Sequence, residues 1–164
     1  MSVLRRLLAG AVLLLLLCPA APARETPGTV DAAGIRRLVA AAAASGAVTV
    51  VNYWATWCGP CREEIPHLAA VRRDFAESQL YILGVSLDLD EAAYRALVRS
   101  HPFGYPTAWG GERLMDELGV RAIPRTEIFT RDGALHKVFD GKLDEATLRR
   151  EIKALLGQGK GGRP

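Results

Sequence analysis

Apolar positions along the chain change period from segment to segment, and the changes mark out a succession of helices and strands. Ile35, Leu38, Val39 and Ala42 recur at helical spacing, the alanines from Ala40 to Ala44 continue the pattern, and Gly46 stops it. Ala47 to Trp54 follows with few polar interruptions, rich in β-branched and aromatic residues, as expected of a central strand covered on both faces. Helical spacing returns from Cys61 to Gln79, with Ile65, Leu68, Ala69, Phe75 and Ala76 on one stripe and Arg72, Arg73 and Asp74 opposite. Pro66 falls inside this helix, removes one backbone donor and is expected to kink it.

Leu80 to Leu87 is a second short apolar run, and Asp88 to Glu91 supplies turn and capping residues for a helix reaching about Ser100. This is a βαβ pattern. Residues 101–111 carry two prolines and three glycines and predict a loop or irregular strand, followed by a short helix from Glu112 to Leu118 that Gly119 ends. Thr126 to Thr130 and Ala134 to Phe139 flank Arg131-Asp132-Gly133, a hairpin signal, so two antiparallel strands close the sheet. Asp144 is placed to cap a final helix with Leu148, Ile152, Leu155 and Leu156 on its apolar stripe and Gly157 at its end. The predicted class is α/β, a central mixed sheet flanked by helices, without internal repeats.

Length changes the picture at the ends only. With 164 residues the chain has material for one domain plus extras. Arg5 and Arg6, the apolar stretch Leu7 to Leu17 and the small-residue site Ala21-Pro22-Ala23 have the order of a secretory signal, residues 1–23. The division that follows is a linker over 24–30, a domain over 31–156 and a disordered tail over 157–164. The expected location is the periplasm or another extracytoplasmic space; an uncleaved signal would leave the chain anchored, although its apolar run is shorter than a spanning helix needs. Cys18 follows Leu17 rather than the small residue a lipoprotein signal wants. Removal of residues 1–23 lowers the basic count from 21 to 19 against 18 acidic residues, which is no nucleic-acid footprint.

The same removal leaves Cys58 and Cys61 as the only thiols of an exported chain. They belong to Trp57-Cys58-Gly59-Pro60-Cys61, at the junction between the first apolar strand and the helix after it. A dithiol there closes a small disulfide ring, and the helix N-terminus offers unpaired N–H groups to a thiolate. Cys58 is read as the attacking thiolate, exposed at the helix start, and Cys61 as the resolving thiol one turn deeper. A purely structural bridge would constrain little, because the loop it closes is very short. A c-type haem site needs His where this chain has Arg62, and a closed zinc site needs four ligands. Soft thiolates also suit Cu(I), so a copper-binding chaperone using Cys58, Cys61 and His67 is the alternative from a different class. Met115 is the only methionine beyond the signal, and no Met/His cluster supports copper. His67, His101 and His136 are read as solvated, and no cofactor or metal is expected.

Direction of electron flow follows from magnitudes. Lowering a cysteine from about 8.5 to about 3.5, as in a strong oxidase, takes roughly 7 kcal/mol of thiolate stabilisation. A helix terminus supplies at most about 2 kcal/mol. Gly59 and Pro60 add no charge or donor side chain, so the dithiol is expected to be a reductant, with an oxidase or isomerase as the second enzymatic reading.

Several spacings together resemble the thioredoxin fold: the strand ending at the dithiol, Pro66 eight residues after Cys58, and Pro124 just before the hairpin. Val51 to Cys58, the Arg62-Glu63-Glu64-Ile65-Pro66 run and the extra helical insert between Asp88 and Ser100 are most similar to the exported TlpA/ResA/CcmG-type thiol-disulfide oxidoreductases, over about Asp31 to Leu156. The resemblance implies a monomer that reduces disulfides in client proteins, in cytochrome c assembly or copper-site maturation, and is re-reduced by a membrane thiol-disulfide electron donor. It implies that Pro124 is cis and lays Ile123 beside the disulfide, where an extended partner segment can pair. It implies that Glu64 is the acid that moves the Cys61 proton, while Glu63 points to solvent. Trp57, Gly59, Pro60, Ile123, Pro124 and Arg125 would border the partner. Arg125 departs from the Pro-Thr-Thr or Pro-Glu-Thr common in the group and so bears on which partner is taken.

Overall fold

Two parallel strands, β1 (Val48–Trp54) and β2 (Leu80–Ser86), form the middle of a five-stranded sheet, and every residue of both is buried. Their side chains alternate between two helical layers, so neither face reaches water and the strands read as almost continuous apolar runs. In the computed structural model, which describes residues 28–157, the strand order is β3-β2-β1-β4-β5, with β3 (Thr107–Trp109) parallel to β2. The hairpin completes the sheet: β4 (Arg125–Phe129) runs antiparallel to β1, and β5 (Leu135–Asp140) pairs antiparallel with β4 at the edge.

One layer holds α1 (Ala32–Ala44) and α4 (Arg113–Leu118), packed on Val51, Tyr53, Leu83 and Val85. The other holds α2 (Gly59–Arg73), α3 (Glu91–Ser100) and α5 (Glu145–Gly157), packed on Val48, Val50, Trp54 and Ile82. This is the mixed thioredoxin-like sheet that the apolar pattern and the resemblance predict, with α3 as the helical insert. Local capping agrees with the residues present: Asp31 accepts from Gly34 N–H, Asp90 from Ala92 N–H and Asp144 from Thr147 N–H.

Two details differ from the sequence reading, and a third settles between its alternatives. The helix after the dithiol begins at Gly59 and ends at Arg73, not at Gln79. Its start is early because Pro60 occupies the first turn, where a missing N–H goes unused. Its end comes early because side chains take over the backbone beyond it: Arg72 Nη1 donates to the Phe75 carbonyl at 2.8 Å, and Gln79 Oε1 accepts from Ala76 N–H at 3.0 Å. Phe75 reaches the core from this turn, not from the helical stripe.

Of the two readings given for 101–111, a loop or an irregular strand, the structure takes the second: Thr107–Trp109 forms β3, a three-residue strand with Pro106 and Gly110 at its borders. Residues 28–30, expected as the end of a tether, lie along β3: Val30 N–H donates to the Trp109 carbonyl at 2.9 Å and Trp109 N–H to the Gly28 carbonyl at 3.2 Å. The expected signal, Cys18 and the tail beyond Gly157 lie outside the described residues. No helix among the described residues is long and apolar enough to cross a membrane.

Candidate active site

The site begins where β1 runs out. Trp54 O accepts from Leu87 N–H at 2.8 Å, and Ala55 O accepts from Cys58 N–H at 3.1 Å, which turns the chain onto α2. Cys58 is the N-cap of that helix, in extended backbone conformation, and its carbonyl accepts the Arg62 N–H at 3.2 Å. Pro60 has no N–H, so the Cys61 N–H is the donor that faces the cap side chain, 3.2 Å from Cys58 Sγ. Cys58 and Cys61 are joined as a disulfide across their two-residue spacer.

Cys58 is not exposed as expected. It is 6% exposed and Cys61 1%, whereas Trp57 beside them is 64% exposed. The indole is the part of this loop that water meets, together with Gly59 and Pro60. Burial of Cys58 comes from the apolar cluster of Trp54, Ala55, Ile65 and Leu68, which extends to the disulfide.

Glu64 lies one turn beyond Cys61 and is 1% exposed. Its two oxygens are held separately: Leu143 N–H donates to Oε1 at 2.9 Å and Asn52 Nδ2 to Oε2 at 3.0 Å. Asn52 also donates to Thr126 Oγ1 at 3.0 Å, so one amide joins β1, α2 and β4. Burial pushes the Glu64 pKa up, the two donors and Lys142 opposing it without reversing the direction. Glu63 behaves oppositely: it points to solvent and pairs with Lys142 at 2.7 Å, which holds its carboxyl low.

The Ile123–Pro124 bond is cis. The register pairs Arg125 with Tyr53, so Pro124 falls beside Trp54 at the end of β1, and its carbonyl accepts Gly141 N–H at 2.7 Å. Ile123 is half-buried and touches the apolar clusters on both faces of the sheet. Arg125 is on the other side of the sheet from Glu64. Its guanidinium is occupied by Glu127 at 3.1 Å and Asp140 at 3.2 Å, and Glu127 in turn accepts the Tyr53 hydroxyl. Thus the fold brings Trp57, Cys58, Gly59, Pro60, Cys61 and Glu64 onto one helix start and sets Pro124 at the neighbouring strand end, while the Arg125 side chain is drawn away.

His67 is half-buried, with an Nδ1 that lacks a protein partner, and is not the fully solvated residue expected. His101 and His136 are exposed and bond Ser100 and Glu151. Among the described residues no group of three or more His, Cys, Asp or Glu is arranged to hold a metal ion. A cleft of about 890 Å³ lies apart from the disulfide, between α1 and α4, with Leu38, Trp109 and Leu114 in its wall. Leu143, Thr126 and Asp88 were not legible as site residues: their bonds to Glu64, Asn52 and Thr56 cross between elements far apart in the chain, and no local spacing announces them.

Comparison with known proteins matches residues 20–138 to the AhpC/TSA family. The chain is 26% identical over 99 residues to the thiol-disulfide oxidoreductase ResA of Bacillus subtilis, covering 60% of this chain and 55% of that protein. It is 31% identical over 113 residues to the thiol:disulfide interchange protein HelX of Rhodobacter capsulatus, covering 68% and 62%. The matches therefore span little more than half the length of these relatives. Among solved structures, a thioredoxin-family thiol:disulfide interchange protein from Chlorobium tepidum superposes with a TM-score of 0.63 at 25% identity, covering 84% of this chain and 100% of that one.

Proposed function

The chain belongs to the AhpC/TSA family, and from that premise we propose that it is an extracytoplasmic thiol-disulfide oxidoreductase that reduces disulfides in client proteins. The observation that carries this reading is the Cys58–Cys61 pair at the N-terminus of α2, bonded to each other and faced by the Cys61 N–H. The names of the relatives support it, as does the signal-like N-terminus.

In the reduced enzyme the Cys58 thiolate attacks one sulfur of a client disulfide. A new S–S bond forms, the client S–S bond breaks, and the departing client thiolate takes a proton. Cys61, deprotonated by Glu64, then attacks Cys58 Sγ; the mixed disulfide breaks and the second client thiol leaves. Two electrons pass from the dithiol to the client, and the Cys58–Cys61 disulfide remains. A membrane dithiol donor returns the pair to the reduced state. The Cys61 N–H and helix N-terminus stabilise the Cys58 thiolate modestly, which suits a reductant rather than a strong oxidant. Glu64 is fitted to its part because burial raises its pKa, which makes the carboxylate a better proton acceptor than an exposed glutamate. Trp57 and the cis Ile123–Pro124 turn border the client, whose extended segment lies along Ile123.

Trapping tests the reading. Cys61→Ser leaves Cys58 to hold clients as mixed disulfides, and exported proteins bearing cysteines are expected in the trapped set, cytochrome c or copper-site assembly factors among them. An empty trap, or a reduction potential in the range of the strong oxidases, removes the reductase reading.

A further inference from the structure

Asp88 is a buried carboxylate that the exchange reaction set out above does not use. It is 1% exposed. Its two oxygens accept the Thr56 N–H at 3.0 and 3.1 Å, the Thr56 hydroxyl at 2.6 Å and the Ser86 hydroxyl at 2.7 Å. Its own N–H donates back to Ser86 Oγ at 3.2 Å, and its carbonyl accepts Trp109 Nε1 at 2.8 Å. Asp88 thereby ties three strand ends together: β2 through Ser86, β3 through Trp109, and the segment leaving β1 through Thr56.

Thr56 is the middle residue of the link Ala55-Thr56-Trp57 between β1 and the N-cap Cys58. That link carries an exposed tryptophan at its far end and has little apolar burial there to hold its path. The bonds at its two ends, Leu87 N–H to Trp54 O and Cys58 N–H to Ala55 O, leave the Thr56 N–H to be satisfied by a side chain, and Asp88 satisfies it.

A plainer role would be to cap α3 or stiffen the turn before it. The cap of α3 is Asp90, however, which accepts from Ala92 N–H at 2.8 Å. Three of the four bonds that the Asp88 carboxylate accepts go to a residue 32 positions earlier in the chain. A turn-stiffening residue has no need of that reach.

We propose that Asp88 is a positioning residue for the dithiol: by fixing Thr56 it sets the place and direction in which Cys58 is presented to a partner disulfide. The inference rests on the thiol-disulfide exchange reading. In-line attack of one sulfur on another demands alignment, and a misplacement of about 1 Å at a reacting group costs on the order of 10²-fold in rate.

The test measures kcat and KM for reduction of a model protein disulfide by the full chain, with hydrogen exchange at the Thr56 amide followed in parallel. Asp88→Ala, which removes every side-chain acceptor, is expected to lower kcat by about 10²-fold with KM little changed. Asp88→Asn keeps one acceptor oxygen and is expected to recover all but about tenfold of the loss. Thr56 exchange should quicken in the same order. A role in stability alone would lower the melting temperature and leave the kcat of the folded enzyme unchanged, although Thr56 exchange would still quicken because its N–H loses its acceptor. A folded Asp88→Ala protein with wild-type kcat overturns the proposal; where that variant does not fold, wild-type kcat in Asp88→Asn does so. An inactive wild-type protein instead overturns the exchange reading itself, so the two failures are told apart by the wild type alone.

Discussion

Glu64 is held out of water by two neutral donors, the Asn52 amide and the Leu143 N–H, and the loss of hydration outweighs them. The Tyr105 phenol, itself pushed up by burial, is raised further by the Glu64 charge, while Lys142 works the other way on Glu64. Because the folded pKa of this acid lies above its ordinary value of 4.5, the folded state binds the proton more tightly than the unfolded chain. Its contribution to stability is therefore fully present below that ordinary value and is lost as the pH rises through the folded pKa. Melting temperatures of the wild type and Glu64→Gln, compared from acid to neutral pH, should diverge in that window, the wild type falling relative to the variant. Parallel curves would remove the raised pKa. The same substitution should flatten the pH dependence of exchange if Glu64 moves the Cys61 proton, and an unaltered profile would cost Glu64 that role.

Among the elements, β2 and the hairpin show how differently two glycines constrain the chain. Gly133 in the turn between β4 and β5 has a φ of +85°, and an added Cβ would stand 3.3 Å from the Ala43 Cβ on α1. Gly133→Ala should cost roughly 1–2 kcal/mol for the left-handed backbone alone, read from a denaturant midpoint. Gly84 in β2 has an ordinary strand conformation, but its Cβ would meet Trp54 Nε1 and Tyr105 Cε2 at 3.2 Å and Thr107 Cγ2 at 3.3 Å. Gly84→Ala overpacks a core that joins three strands, and a loss of about 1–3 kcal/mol is expected by the same measurement. A neutral result at Gly84 would mean that Trp54 and Tyr105 can shift together. The first glycine is readable from Asp132-Gly133 between two apolar runs. Gly84 is not, since its neighbours come from β1, β3 and the loop before β3, distant in sequence.

At the scale of the whole molecule, the disulfide joins residues with a sequence separation of only 3, so it removes little freedom from the unfolded chain. Chain entropy for so small a ring amounts to about 2 kcal/mol. The oxidised protein should therefore melt above the reduced one by a modest margin, which is the sign the proposed reductase reading requires, since a reductant's disulfide form is its favoured product. A reduced form more stable than the oxidised form would reverse the sign and place the protein among the oxidants, whose reduced state is the stabilised one.

Apolar periodicity, turn residues and caps were sufficient for the α/β class, for the order of the elements and for the dithiol at a strand-to-helix junction, because each depends on neighbours within a few residues. Cys58, Cys61 and Glu64 stand on one short stretch, and helical spacing alone puts the acid one turn beyond the second thiol. Tertiary structure decided the rest. The burial of Cys58, the bridge from Asn52 to Glu64 and Thr126, the pairing of Val30 with Trp109 and the hold of Asp88 on Thr56 all arise where separate elements meet. Hydration and hydrogen bonding at such meetings depend on the packed whole, which is why a pattern along the chain located the dithiol while only the fold revealed what surrounds it.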